Sequence, residues 1–199
     1  MTLTHAPSRS RRPQPERLFT VADLARLPDE LPSGPVRYEL DRGRLVVLAP
    51  PGSDHCVVEL GFAAALRYLG HNRGHGTAMC GDVGIVLWRN PDRVVGADAA
   101  FVVTASLPLR LSPEGYLETI PDLVVEVVSK NDSRPYVRGK VEDYLAAGVR
   151  VVWVADPKRR TVTVHRAGQD PEILGEDQEL TIEELIPGFR LSVREALAT

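Results

Sequence analysis

Glu126 stands inside the run PDLVVEVVS, where strand alternation sends Leu123, Val125 and Val127 to one side and Val124, Glu126 and Val128 to the other. A carboxylate in so apolar a strand needs a cation, a metal or several hydrogen bonds to offset its desolvation. An arginine partner at the strand end is the structural alternative. Asp98 repeats the pattern in VVGADAAFVV. Two carboxylates close together on adjacent strands repel unless one is protonated or a divalent cation lies between them. Oxygen-only ligation of this kind favours Mg²⁺ or Mn²⁺ over zinc. Lys140 falls on the helix expected after the Glu126 strand, one turn before Tyr144. From there an ammonium can reach back over the strand end, to orient a nucleophile or stabilise negative charge developing on a phosphate. A solvated helix-surface lysine is the plain alternative.

Other polar residues carry weaker signals. Asp122 shares the face of Glu126 but sits at the strand entrance, where Pro-Asp makes a turn rather than a site. His55 and Glu59 lie one helical turn apart, and His55 reads as a capping or surface residue, with approach to the carboxylates as the alternative. His71, His75 and Cys80 around the loop GHNRGHG supply three donors without a fourth, which makes a poor zinc set. Cys56 and Cys80 form no CxxC pair and read as reduced thiols of a cytoplasmic protein.

The elements that must position these residues follow from pattern and punctuation. Thr20 can cap a short helix carrying Val21, Leu24 and Leu27. RYEL, the turn Asp41-Arg42-Gly43 and RLVVLAP read as a hairpin. Ser53 or Asp54 can cap a helix over residues 53–69, with Val58, Phe62, Ala65, Leu66 and Leu69 on one stripe. Strands are expected over 83–88 and 94–103 around the turn Asn90-Pro91-Asp92-Arg93, followed by a long excursion over 104–120. PDLVVEVVS is the strongest strand, apolar on both faces and therefore central and covered. A helix over 137–148 stops at Gly148, and VVWVAD and TVTVHR make a further hairpin. Leu180, Leu185, Ile186 and Leu191, spaced among acids, are expected to cover a sheet edge. The expected fold class is α/β: a mixed, curved β-sheet flanked by helices.

The 199 residues, 43% apolar and 26% charged, suit one globular domain over 18–199 preceded by a basic flexible arm over 1–17. No uncharged apolar run reaches the length of a membrane span. The formal net charge is −3, yet the arm carries four arginines against Glu16, while the segment from Asp170 onward carries eight acids against Arg190 and Arg194. Strong non-specific DNA binding is thereby disfavoured. Nucleic acid would have to be held by the arm or by a local patch from Lys130, Arg134, Arg138, Lys158, Arg159 and Arg160.

The strings YELDRGRLVVLAPPGSDH, GADAAFVV, PDLVVEVVSKNDSRPYVRGKVEDYLAAGVRVVWVADPKRRTVTVHR and IPGFRLSV together resemble the Uma-two family of restriction endonucleases, within the PD-(D/E)XK nuclease superfamily. The resemblance spans about residues 18 to 195. It implies a restriction-endonuclease-like core with Asp98 and Glu126 as metal ligands and Lys140 as the catalytic lysine, displaced from strand to helix. Val128 occupies the usual lysine position and cannot serve, and Lys130 is an alternative placed in a turn. Glu39 matches an auxiliary acidic position that would hold a second metal or orient water; an exposed hairpin residue is the other reading. Ala97 stands where the family usually has proline, and Cys56 where a polar residue is common. The expected function is a Mg²⁺- or Mn²⁺-dependent endonuclease acting on nucleic acid, with DNA favoured, as a homodimer whose two centres suit double-strand cleavage. A catalytically silent binding or self-associating module is the alternative, and a zinc hydrolase using the histidine loop a third reading.

Overall fold

A computed structural model of the chain describes residues 17–108, 111–112, 115–130 and 132–198. Apart from Arg17, the basic arm lies outside the described residues. Thr20 caps the short helix α1 (Val21–Leu24) through a reciprocal box with Asp23, as the sequence predicts. A two-residue ladder, β1 (Glu30–Leu31) with β2 (Gly34–Pro35), leads into the hairpin of β3 (Arg37–Asp41) and β4 (Arg44–Leu48). Arg42 and Gly43 both take positive φ, the mirror-image turn that matches strand twist in a two-residue hairpin.

Helix α2 (Ser53–Ala65) begins after Gly52 with no side-chain cap, so neither Ser53 nor Asp54 has the capping role expected of it. Beyond it the chain continues through a wider turn and a short 3₁₀ segment to Arg73. β5 (Gly76–Trp88) pairs along its length with β6 (Arg93–Val103) and starts seven residues before the predicted strand. The missed portion contains Gly76 and Gly81 and has no clean alternation, because a bulge interrupts it. β7 (Leu123–Val127) and β8 (Val151–Asp156) are parallel, joined by α3 (Arg134–Ala147). α3 starts earlier than the apolar spacing suggests: Ser133 caps it and Pro135 fills the first turn, where its missing N–H costs nothing. β9 (Thr161–Arg166) and β10 (Glu172–Gly175) complete an eight-stranded mixed sheet in the order β10-β9-β8-β7-β6-β3-β4, with β5 on the remaining edge of β6. β11 (Glu179–Leu180), β12 (Leu191–Ser192) and α4 (Val193–Ala196) follow.

Leu123, Val125 and Val127 face α2, whereas Val124 faces α3, as alternation requires. The C-terminal segment covers this first face rather than an edge: Ile182, Ile186, Phe189 and Leu197 join Phe62 of α2 and Leu66 just beyond it, while β10 extends the edge by pairing with β9. Trp153 is fully buried there, with ring centroids 5.9 Å from Phe62 and 5.7 Å from Phe189. The sheet and its two helical covers thus form the mixed α/β arrangement expected. No helix among the described residues is long and apolar enough to cross a membrane.

Candidate active site

The site forms where the sheet forks. One edge of β6 pairs with β5 throughout, but along the other edge Ala99, Ala100 and Phe101 pair with β7, whereas Val94 pairs with β3. Between them the backbone groups of Gly96 lack a strand partner. Side chains replace it: Gly96 N–H donates to Glu39 Oε1 at 2.9 Å, and its carbonyl accepts from Lys140 Nζ at 2.8 Å. Opposite Asp98 on β5, Gly81 and Asp82 bulge with positive φ at both residues. The bulge brings Asp82 to 2.7 Å from Arg37 Nη1, and a Cβ on Gly96 would stand 2.2 Å from Asp82 Oδ1. Only glycine fits at residue 96 without moving Asp82.

Glu39, Asp98, Glu126 and Lys140 are brought together at this fork, with exposures of 1%, 7%, 9% and 6%. Glu39 is therefore not an exposed hairpin residue, and Lys140 is not a solvated one. Lys140 Nζ donates to Glu126 Oε2 at 2.8 Å and lies 3.4 Å from Glu39 Oε1. Asp98 Oδ2 accepts from the backbone N–H of Val127 at 2.6 Å, which ties it to the end of the Glu126 strand. Tyr144 donates to Glu126 Oε1 at 2.6 Å and Tyr136 to Glu39 Oε2 at 3.0 Å. Tyr136, Lys140 and Tyr144 recur every four residues, so a single face of α3 delivers all three. That spacing was the available signal for the two tyrosines, whose part in the site the residue types alone do not announce.

Burial pushes Glu126 up to about 7, against the downward pull of Lys140, and the charge of Asp98 adds to the rise. Burial alone would lower Lys140, but Glu126 and Glu39 outweigh it and hold the ammonium above its ordinary value. Burial also raises the phenols of Tyr136 and Tyr144, so both stay protonated donors. The sign for stability follows. Between the unfolded value of 4.5 and about 7 the folded protein binds more protons at Glu126, so this contribution is full at low pH and is lost as pH rises through 7. In metal-free buffer the urea stability of wild type relative to Glu126→Gln is expected to fall over this window; a flat or rising difference would show Glu126 ionised throughout.

His55 departs from the capping or surface reading. Its side chain is 10% exposed, and Nε2 lies 3.3 Å from Asp98 Oδ2. Asp122 does act structurally: it accepts from Val103 N–H and Ser106 Oγ and lies 3.6 Å from Arg150. Among the described residues, His71, His75 and Cys80 are not gathered into a metal-sized group. Arg93 and Asp143, missed by the sequence reading, form a buried pair at 2.7 Å that joins α3 to β6.

The four residues line a cleft of about 1120 Å³. Lys130, Arg134, Lys158 and Arg159 are exposed at its mouth. Arg138 does not line it and pairs instead with Glu142 at 3.7 Å. Arg160 is engaged by Glu176 and by the carbonyl of Leu197.

The sequence profile of the Uma2 family, described as "Putative restriction endonuclease", matches residues 21–194. A crystal structure described as "a putative nuclease belonging to DUF820", from Anabaena variabilis, shares the fold with a TM-score of 0.73. It is 18% identical, over 90% of this chain and 98% of the other. No curated protein matches the chain.

Proposed function

The chain belongs to the Uma2 family, and from that membership and the geometry of the fork we propose a divalent-metal-dependent endonuclease that hydrolyses phosphodiester bonds of nucleic acid, with DNA as its substrate. The observation that carries the proposal is the convergence of Glu39, Asp98, Glu126 and Lys140 on the floor of one cleft. Lys140 meets two of the three carboxylates, Glu39 and Glu126, while burial pushes Glu126 up and the charge of Asp98 adds to the rise, both of which a cation between Asp98 and Glu126 would offset. Oxygen donors alone suit Mg²⁺ or Mn²⁺. The donor set therefore fits the ion, with Asp98 and Glu126 as ligands and Glu39 as auxiliary acid.

A bound Mg²⁺ or Mn²⁺ supplies Lewis-acid polarisation of the phosphate and a more acidic water. Lys140, kept protonated by its carboxylate neighbours, acts as a fixed cation and hydrogen-bond donor toward negative charge developing on phosphate, not as a general base. Tyr144 and Tyr136 hold Glu126 and Glu39 in orientation. A homodimer is proposed on the ground that double-strand cleavage suits two centres.

At the cleft mouth, exposed Lys130 and Lys158 would take phosphates. Replacing both with alanine is expected to weaken duplex binding and to reduce the slope of log affinity against log salt by roughly 2, at about 0.9 per lost phosphate contact. Fluorescence anisotropy over a salt series measures this; an unchanged slope would remove both lysines from the nucleic-acid surface.

The proposal is tested by incubating the full chain with supercoiled plasmid, linear duplex, single-stranded DNA and RNA in Mg²⁺ or Mn²⁺, with EDTA as control. Metal-dependent cleavage of DNA is the expected result. No cleavage of any substrate, with DNA retention that is flat against salt, would instead support the silent binding module.

A further inference from the structure

Beside the oxygen-only cluster, and in contact with it where His55 meets Asp98, α2 carries a second set of donors of different chemical character. A His55 ring nitrogen, the Cys56 sulfur and a Glu59 carboxylate oxygen lie within 4.8 Å of one another. The three residues occupy the first turns of one helix, where the spacings of three from Cys56 and four from His55 bring both side chains alongside Glu59. Glu59 is tied down, because its Oε1 accepts the N–H of Gly81 at 2.8 Å. Cys56 is exposed and free, so its thiol can turn without disturbing the core.

His55 supplies the independent observation. Its side chain is nine-tenths buried, Nε2 faces Asp98, and Nδ1 is a buried nitrogen with no hydrogen-bond partner. With Nε2 carrying the proton toward the Asp98 carboxylate, Nδ1 presents an uncommitted lone pair. A carboxylate behind a histidine, fixing its tautomer while the other nitrogen binds the ion, is the usual outer support of a protein metal ligand.

We propose that His55, Cys56 and Glu59 form a binding site for a zinc-class divalent ion, distinct from the carboxylate site on β6 and β7. Nitrogen, thiolate and carboxylate together suit Zn²⁺ and discriminate against Mg²⁺, which prefers oxygen donors only. Ligand atoms around tetrahedral zinc stand closer than 4.8 Å, so occupancy requires shifts of about 1 Å, available in the exposed Cys56 side chain. Three protein donors leave a fourth position for solvent. The thiol loses its proton on ligation, and that proton passes to solvent.

The test uses Co²⁺ as a spectroscopic stand-in for zinc on the reduced full chain in Mg²⁺-containing buffer, read by absorption and not by nuclease activity. A thiolate-to-cobalt charge-transfer band is expected in the wild type, in Cys80→Ser and in Glu126→Gln, and Zn²⁺ should bleach it. Cys56→Ser should abolish the band, and Glu59→Gln should weaken cobalt binding. Absence of a thiolate band in the wild type, or its survival in Cys56→Ser, would overturn the assignment. Since Glu126→Gln disables the proposed hydrolytic centre, the two sites stand or fall separately.

Discussion

Lys140→Met is expected to slow metal-dependent cleavage on the order of 10²–10³-fold, the usual loss when a buried charge-stabilising donor is removed. Methionine preserves the length and apolar stem of the side chain but removes the ammonium that donates to Glu126 and to the Gly96 carbonyl at 2.8 Å each. Among the described residues, Arg93, 3.7 Å from Glu39, is engaged with Asp143 and two carbonyls, and Arg37 is paired with Asp82 at 2.7 Å, so neither is placed to replace it. The structural penalty is limited because Glu126, already pushed up to about 7, can take up a proton once its partner is lost. Single-turnover nicking, with circular dichroism confirming the fold, checks this. A variant that cuts at the wild-type rate would remove Lys140 from the chemistry and return attention to Lys130.

The largest expected effect on stability is at Arg93. The guanidinium is 3% exposed, donates to Asp143 at 2.7 Å, to the Leu40 carbonyl at 2.9 Å and to the Val94 carbonyl at 3.3 Å, and so ties α3, β3 and β6 together. Arg93→Met leaves Asp143 buried with only the half-exposed Arg42 at 3.1 Å. Removing one partner of a buried pair typically costs about 3–5 kcal/mol, because the other charge stays desolvated. Arg93→Met combined with Asp143→Leu should recover part of that loss. Urea denaturation reads both; a single-variant cost below about 1 kcal/mol, the range of exposed pairs, would mean that the interior pair contributes little.

Of the four residues that meet at the fork, Asp98 and Glu126 stand out in the sequence because each breaks an apolar pattern, whereas Lys140 is indicated by its place on the following helix and Glu39 by the family resemblance. Glu126 interrupts a strand covered on both faces, and Asp98 interrupts another, so desolvation makes both conspicuous. The central parallel pair was legible because PDLVVEVVS and VVWVAD are apolar runs, and α3 was legible from its apolar spacing and the stop at Gly148, except for the first turn that Ser133 caps. Residues whose role depends on the fork were not. Asp82 reaches the site only through a bulge in β5, and bulges leave no periodic trace. Arg93 looks like a turn residue until β3 and α3 close over it. His55 is indistinguishable in sequence from a first-turn surface histidine, because only tertiary packing decides that α2 sets it against Asp98. The acidic C-terminal segment hid a face-covering role for the same reason: its apolar residues are spaced too irregularly to reveal which surface they meet.

The most direct measurement is nicking of supercoiled plasmid in Mn²⁺ or Mg²⁺ by the wild type beside Glu126→Gln, with metal chelation as the control. Glutamine keeps the size of the side chain and one acceptor oxygen, turns the other acceptor into a donor NH₂, and withdraws the anionic ligand. Wild type should convert the plasmid to open circles only when metal is present, and Glu126→Gln, folded as judged by circular dichroism, should leave it supercoiled. Equal nicking by the two proteins, or nicking that persists in chelator, would contradict a metal-dependent centre at Asp98 and Glu126.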